Sequence, residues 1–387
     1  MKIAFITYEY PPSIMGGAGV YAERTTEELA KLGHQITVFT PDIYDNGNEI
    51  PKDNLKIIRI PINKRLPFKA MQFWLKLPKE VKNIEMKEKF DIVHINGNSY
   101  FSFRKKISKA PHVVMVHHSV MDTIKTNKMN FISRILNIGA EDSFIMPLIE
   151  KKVINLAQKI VVPSYFTKNS IINHYKIDSS IIEVIYEGMT FKNYSKSMDN
   201  NTINNGIGKN LILFVGRVDD PRKGLDILLR IFKKVLFELD CQLLIVGSGN
   251  PENALSLAKS LDILDKIFFA GQVDNNTLYK YYNLCDVYVC PSKLEGFGLT
   301  ILEAISVGKP VVAFKVGSIP ELIENYYNGI LIERNDIDNF ATAICYLLKN
   351  GKLKWTTEER INYIKENFSW ENSAKQLENL YTNMVFK

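Results

Sequence analysis

The stretch NLILFVGRVDDPRKGLDILLRIFKKVLFEL, residues 210–239, reads as a strand, a basic turn and an amphipathic helix in immediate succession. Its opening residues are almost continuously apolar, the mark of a strand buried on both faces, as in parallel sheets. From Gly224 the apolar positions recur at helical spacing as far as Leu239. Between the two lie Gly216, Arg217, Arg222 and Lys223, at the strand's carboxyl end and ahead of a helix N-terminus. That is where backbone amides and fixed cations meet an anion most readily.

The same alternation recurs on both sides of this stretch. Toward the C-terminus, CQLLIVG (241–247), KIFFAG (266–271), DVYVCPS (286–292) and PVVAF (310–314) read as strands, with LTILEAISVG (299–308) as a helix. Toward the N-terminus the strand candidates are KIAFITY (2–8), QITVFTP (35–41), LKIIRI (55–60), DIVHI (91–95), HVVMVH (112–117) and KIVVPS (159–164). VYAERTTEELAKLG (20–33) is helical, with Gly33 as its stop. The Asn- and Ser-rich SKSMDNNTINNGIGKN (195–210) separates the halves as a linker. The fold class is therefore α/β, with two doubly wound, Rossmann-like parallel-sheet domains. Their loops at the strand carboxyl ends are expected to face a central cleft.

A chain of 387 residues with 46% hydrophobic and 24% charged residues suits an ordinary globular protein of two or more domains. No apolar run reaches the ~18 residues of a spanning helix. The opening residues lack the features of a signal peptide, so a cytoplasmic location is expected. Residues 1–190 carry 26 Lys and Arg against 19 Asp and Glu, whereas residues 191–387 carry 23 of each. The net charge of +7 thus resides in the first half and points to an acidic partner there. No nucleic-acid module is recognisable, so nucleic acid is not expected as a partner. Cys285 and Cys290 flank an apolar strand and read as core thiols, not as a disulfide or metal pair.

Four segments carry chemistry. In PPSIMGGAGVYAERTTEELA (11–30), Gly16, Gly17 and Gly19 precede a helix and would admit a phosphate or sugar oxygen. Their spacing is not GxGxxG, which argues against a nicotinamide oxidoreductase. Arg217, Arg222 and Lys223 suit a diphosphate, each charge-assisted bond contributing roughly 1.5–3 kcal/mol. In EGFGLTILEAISVGKPVV (295–312), Glu295 falls in a turn and Glu303 about one turn into the helix, where each could accept from hydroxyls of one ligand. Glycines 296 and 298 let the backbone approach it. Cations flanked by polyol-binding acids describe a nucleotide-sugar site. In the first half, VVMVHHSVMD (113–122) ends a strand with His117 and His118, of which at most one faces a ligand. His34 shapes a turn, and His94 belongs to either core or cleft.

Taken in order, these segments resemble the GT-B-fold retaining glycosyltransferases of family 4 over nearly the whole chain. The carrying motifs are the Gly-rich loop after the first strand, LAKLGHQITVFTP, DIVHINGN, the strand ending in His117, GR…KG, EGFGLTILEA and the closing FSWENSAKQLENLY. The resemblance implies that Arg217 and Lys223 bind the donor diphosphate, with Gly216 close to it, while the Gly16–Gly17 loop would meet the diphosphate or the acceptor. Glu303 would hold the ribose, Glu295 with the Phe297–Gly298–Leu299 backbone the donor sugar, and His117 would contact the sugar transferred. Catalytic roles are therefore expected of His117, Glu295, Arg217 and Lys223. The resemblance further implies a nucleotide-sugar-dependent hexosyltransferase that needs neither metal nor cofactor, with a donor such as a UDP- or GDP-sugar. Attack would come from the face the diphosphate leaves, with retention. The expected domains are 1–188, completed by a returning helix at 371–387, and 189–370. Two departures stand out. Glu187, in IYEGMT (185–190), replaces an Asn common in the family, which bears on the interdomain turn. DDPRKG is one residue longer than usual and is like the loop of phosphatidylinositol mannosyltransferases.

The segment NKRLPFKAMQFWLKLPKEVKN (63–83) sets Lys64, Arg65, Lys69, Lys76, Lys79 and Lys82 beside Phe68, Met71, Phe73, Trp74 and Leu75. That mixture suits shallow contact with an anionic membrane, as for a protein peripheral on the inner face. The alternative is lysines snorkelling over the core. Expected acceptors are a sugar, a lipid-linked glycan or a small molecule, as in polysaccharide, cell-envelope or glycolipid synthesis. A sugar-nucleotide epimerase would share the fold but not the Glu–Glu element beside GR…KG. A non-catalytic nucleotide-sugar-binding subunit would keep both.

Overall fold

The computed structural model describes residues 1–12, 16–43, 54–66, 69–99, 107–126, 145–189, 210–350 and 352–386. The linker read at 195–210 lies outside these residues except for Asn210, and Phe68 also lies outside them. The chain divides into two compact units, Met1–Gly188 with Trp370–Lys387, and Met189–Ser369.

Among the described residues, the first unit contains a sheet of seven strands. They are β1 Lys2–Ile6, β2 Gln35–Asp42, β3 Leu55–Pro61, β4 Ile92–Asn96, β5 His112–Met115, β6 Lys159–Val162 and β7 Ile182–Val184. The order is β3-β2-β1-β4-β5-β6-β7, and every neighbouring pair is parallel. The second unit holds β8 Leu211–Val215, β9 Gln242–Val246, β10 Ile267–Gly271, β11 Val287–Cys290, β12 Val311–Phe314 and β13 Gly329–Ile332. Their order is β10-β9-β8-β11-β12-β13, again all parallel. Both sheets reverse direction beside their first strand, between β1 and β4 and between β8 and β11. That reversal is the switch point at which open parallel sheets take ligands. The edge strands β7 and β13 are the two that sequence reading passes over. Each is only three or four residues long, too short to show a period.

Burial explains the central strands. Ile212, Leu213 and Phe214 of β8 are shut away from solvent, and Leu228, Leu229, Phe232 and Val235 of the following helix pack into the same core as Ile212 and Phe214. That helix runs Leu225–Leu236, shorter than its apolar pattern, and the Phe237 beyond it is 79% exposed. All four cysteines are buried free thiols.

The final helix, Trp370–Val385, belongs to the first unit. Trp370 meets Tyr21 edge-on at 6.1 Å, and the Tyr381 hydroxyl lies 2.7 Å from His94 Nδ1. His94 is therefore a core residue, stacked on Phe5 at 4.5 Å. Burial pushes its pKa down to about 3, with His117 nearby adding to the effect. His34 is buried as well, with Nε2 3.0 Å from Glu378 of the same final helix.

The helix Lys69–Glu85 corrects part of the mixed basic and apolar reading of residues 63–83. Phe73, Leu77 and Val81, spaced at i and i+4, are fully buried in the core, and Trp74 packs against it. Among the described residues of this segment, Leu66, Met71 and Leu75 are the large apolar groups left exposed beside the lysines. Among the described residues no helix is long and apolar enough to cross a membrane.

The helix Leu299–Ser306 is tied down by Arg360 from the helix Thr357–Asn367. The buried guanidinium donates from Nε and Nη2 to the Gly308 carbonyl at 3.0 and 2.7 Å, and from Nη1 to the Trp355 carbonyl. Gly308 is buried and Arg360 largely so, and losing these three hydrogen bonds in Arg360→Ala is expected to lower stability by about 2–4 kcal/mol. Urea denaturation of the purified variant measures this as a fall in the transition midpoint.

Candidate functional site

In the second unit, the site forms at the carboxyl ends of β8 and β11. β8 runs straight into Gly216, and the segment after it turns through Pro221–Lys223 before the helix at Leu225. Asp220 opens this turn by accepting from the Arg222 amide at 2.9 Å. It also pairs with the Arg222 guanidinium, Nη2 to Oδ2 at 2.8 Å. Burial works against the Asp220 charge, but Arg222 beside it outweighs that and holds the carboxyl below its usual range. Arg222, counted above among the diphosphate cations, is thus engaged in shaping the turn.

Arg217 is half exposed, with Asp219 3.6 Å from its Nε. Lys223 points inward and meets Glu295, Nζ to Oε1 at 2.7 Å. Burial disfavours the Lys223 charge, yet the adjacent carboxylate more than compensates and leaves its pKa raised. Two of the expected site residues, drawn from segments about seventy positions apart, therefore form one ion pair.

Glu295 is fixed from several sides. Ser292 Oγ donates to the same Oε1 at 2.7 Å, and the Ser318 amide donates to the Glu295 carbonyl at 3.1 Å. Ser318 Oγ also reaches the Phe297 carbonyl at 2.7 Å. Gly317, with φ +56°, passes so close that a Cβ there would overlap the Glu295 backbone. Only glycine fits that crossing. Phe297 is buried, its ring 6.1 Å from Phe368. Gly298, with φ +107°, is the residue from which the helix starts at Leu299, and its left-handed backbone suits glycine.

Glu303 lies on that helix, away from Glu295. Its Oε2 accepts from the Tyr282 hydroxyl at 2.7 Å. Burial raises its pKa to about 7, and the tyrosine only partly offsets the effect. The two acids thus have separate partners and different electrostatic settings, as their spacing around the turn implies. Ser292, Tyr282, Gly317 and Ser318 went unread in the sequence. Of these only Ser292, three positions before Glu295, lay close enough to a motif to be found.

The first unit carries its polar groups at the ends of β1, β4 and β5. Gly16 precedes the helix Gly17–Lys31, and its amide donates to Glu9 Oε2 at 3.0 Å. Gly16 and Gly17 are both exposed at the start of that helix, where its amide dipoles favour an anion. His117, two residues beyond β5, has Nδ1 2.9 Å from Glu187 Oε1 and Nε2 2.7 Å from Asn96 Oδ1. Tyr21 packs edge-on against the imidazole at 5.2 Å. Glu187, set aside above as a matter for the interdomain turn, is buried against the expected site histidine. Asn96, the last residue of β4, was not singled out, although the NGN sequence marks a turn there.

This geometry offers a cation and an acid in contact at one switch point, a second acid on the next helix, and an oriented histidine in the other unit. Comparison with known proteins follows the same division. Residues 15–191 match the model for "Glycosyltransferase Family 4", and residues 197–370 match "Glycosyl transferases group 1". An uncharacterised glycosyltransferase of Methanocaldococcus jannaschii is 28% identical, with 98% of each chain covered. Among solved structures, sucrose-phosphate synthase from Thermosynechococcus elongatus superimposes with a TM-score of 0.83 at 22% identity, covering 100% of this chain and 99% of that one. Anabaena HepE, solved with UDP-glucose, gives 0.71 at 17% identity, covering 99% and 100%. The two sheets are those of a GT-B fold, and the chain belongs to the family 4 glycosyltransferases.

Proposed function

We propose that this glycosyltransferase moves a hexose from a nucleotide-sugar donor, such as a UDP- or GDP-sugar, to a hydroxyl acceptor with retention at the anomeric carbon. The observation that carries the reading is the Lys223–Glu295 contact at the β8–β11 switch point, with Glu303 on the following helix. A diphosphate would take Lys223 and Arg217, and Glu295 would turn to the hydroxyls of the sugar. Glu303 would accept from the ribose. Cations at the leaving diphosphate act most in the transition state, where its charge grows. The acceptor hydroxyl would approach from the face that the diphosphate leaves, giving its proton to the departing phosphate oxygen. The bond from the anomeric carbon to that oxygen breaks as the bond to the acceptor oxygen forms. Arg217 and Lys223 balance this charge, so the reading assigns no metal. UDP-glucose in the HepE structure, a relative in fold alone, is consistent with a nucleotide-sugar donor.

We further propose a cytoplasmic enzyme of glycan, cell-envelope polysaccharide or glycolipid synthesis, peripheral on an anionic membrane. The basic residues around Leu66, Met71 and Leu75 would make the contact. Co-sedimentation with anionic vesicles at low salt is expected, falling as salt rises. Failure to bind such vesicles at low ionic strength would exclude the contact.

Thermal-shift titration with UDP-, GDP- and ADP-sugars tests the donor reading. One of them should stabilise the protein, and Glu303→Ala should weaken that nucleotide about tenfold or more. His117→Ala should largely keep the nucleotide shift and lower transfer. Equal nucleotide affinity in wild type and Glu303→Ala would rule out the ribose role.

The raised pKa of Glu303 adds a pH signature. Only the ionised carboxylate accepts from two ribose hydroxyls, and protonation competes below about pH 7. Nucleotide affinity should therefore rise as pH climbs from about 6 to 8 and then level off. Glu303→Gln, which has no proton to lose, should flatten the profile measured by calorimetry.

A further inference from the structure

His117 has a partner at each ring nitrogen, and the chemistry of those partners determines its role. Asn96 Nδ2 lies 2.9 Å from the Ala18 carbonyl and 3.0 Å from Thr7 Oγ1. A backbone carbonyl can only accept, so the amide's NH2 faces Ala18 and its oxygen faces His117. With Oδ1 at 2.7 Å, His117 Nε2 must carry the hydrogen. On the opposite edge, Nδ1 lies 2.9 Å from Glu187 Oε1, and a proton sits between them.

Glu187 is 3% exposed, and a carboxylate so placed needs a counter-charge. Among the described residues, neither Tyr21 nor His94 beside this pair supplies one. Tyr21 is buried and held in its protonated form, by burial first and by Glu187 second. His94 is buried and neutral. Among the described residues His117 is the ion-pair partner of Glu187.

We propose that Glu187 is a positioning residue that fixes His117 as a hydrogen-bond donor at both ring nitrogens. His117 then serves glycosyl transfer by donating Nε2–H to a sugar oxygen, and not as a base. In this exchange the N–H leaves the Asn96 oxygen for a sugar oxygen, and no proton changes owner. The inference rests on the reading that His117 meets the transferred sugar.

The test uses the full chain with 15N-labelled histidine, without donor, at neutral pH. Both His117 ring nitrogens should resonate as protonated in the wild type. In Glu187→Gln, an isostere without charge, Nδ1 should shift toward the unprotonated range and Nε2 should stay protonated. Glu187→Gln should also lower kcat about tenfold with donor KM unchanged, and should cost nothing further in a His117→Ala background. An unprotonated Nε2 in the wild type, or an equal kcat loss in the His117→Ala background, would overturn the proposal. Thermal melts of each variant separate these effects from a failure to fold. Wild-type kcat in His117→Ala alone would instead refute the reading on which the inference rests.

Discussion

The second unit is organised around the Lys223–Glu295 ion pair. Burying one of these charges alone would be costly, and their mutual attraction offsets the cost only if the geometry is held closely. Much of the surrounding sequence holds it. Asp220 and Arg222 shape the turn that aims Lys223, and Ser292 fixes the Glu295 carboxylate. Ser318, with Gly317 beside it, fixes the Glu295 backbone. On the proposed reading, a donor supplies each charge with a new partner of the appropriate sign, phosphate for the lysine and hydroxyls for the acid. Neither side chain is left buried alone at any stage. The frame is built before the substrate arrives, so little reorganisation remains for the moment of reaction.

The two units apply one geometric rule to different chemistry. Each sheet reverses beside its first strand, and each places its polar groups just past the two strands that flank that reversal and the next strand along. In the second unit these groups are Lys223 after β8, Glu295 after β11 and Gly317–Ser318 after β12. In the first they are Gly16 after β1, Asn96 at the end of β4 and His117 after β5. The second unit is rich in fixed charge, as suits a phosphate. The first relies on a histidine–carboxylate contact and an amide, as suits the directional recognition of a hydroxyl.

Much of this architecture was legible in the sequence because centrally buried strands must be continuously apolar. The strands of both sheet centres announce themselves in that way. β7 and β13 do not, since IEV and GILI are too short to show a pattern. Helix ends were overread where apolar residues continue past the last turn, as at Phe237. In the site, residue type showed which groups carry charge but not where that charge is directed. Arg222 and Lys223 are adjacent and chemically alike, yet one closes on Asp220 two residues back and the other crosses to Glu295. Glu187 was read as a departure in a turn because nothing local to IYEGMT reveals a histidine seventy positions earlier.

The segment at residues 63–83 shows how packing narrows what composition leaves open. Counted as a mixture, its aromatic and basic residues could describe a helix that peels away and inserts into a bilayer. Phe73, Leu77 and Val81 rule out that form of contact. Each is fully buried, and withdrawing such a side chain from the core costs about 1.5–3 kcal/mol. Removing three at once would consume much of the stability of an ordinary domain. A membrane contact here must leave the helix Lys69–Glu85 docked and use only its outward face. Met71 and Leu75 lie one turn apart on that face, with Lys79 a further turn along. Two or three shallow apolar groups with a lysine collar give reversible, salt-sensitive attachment.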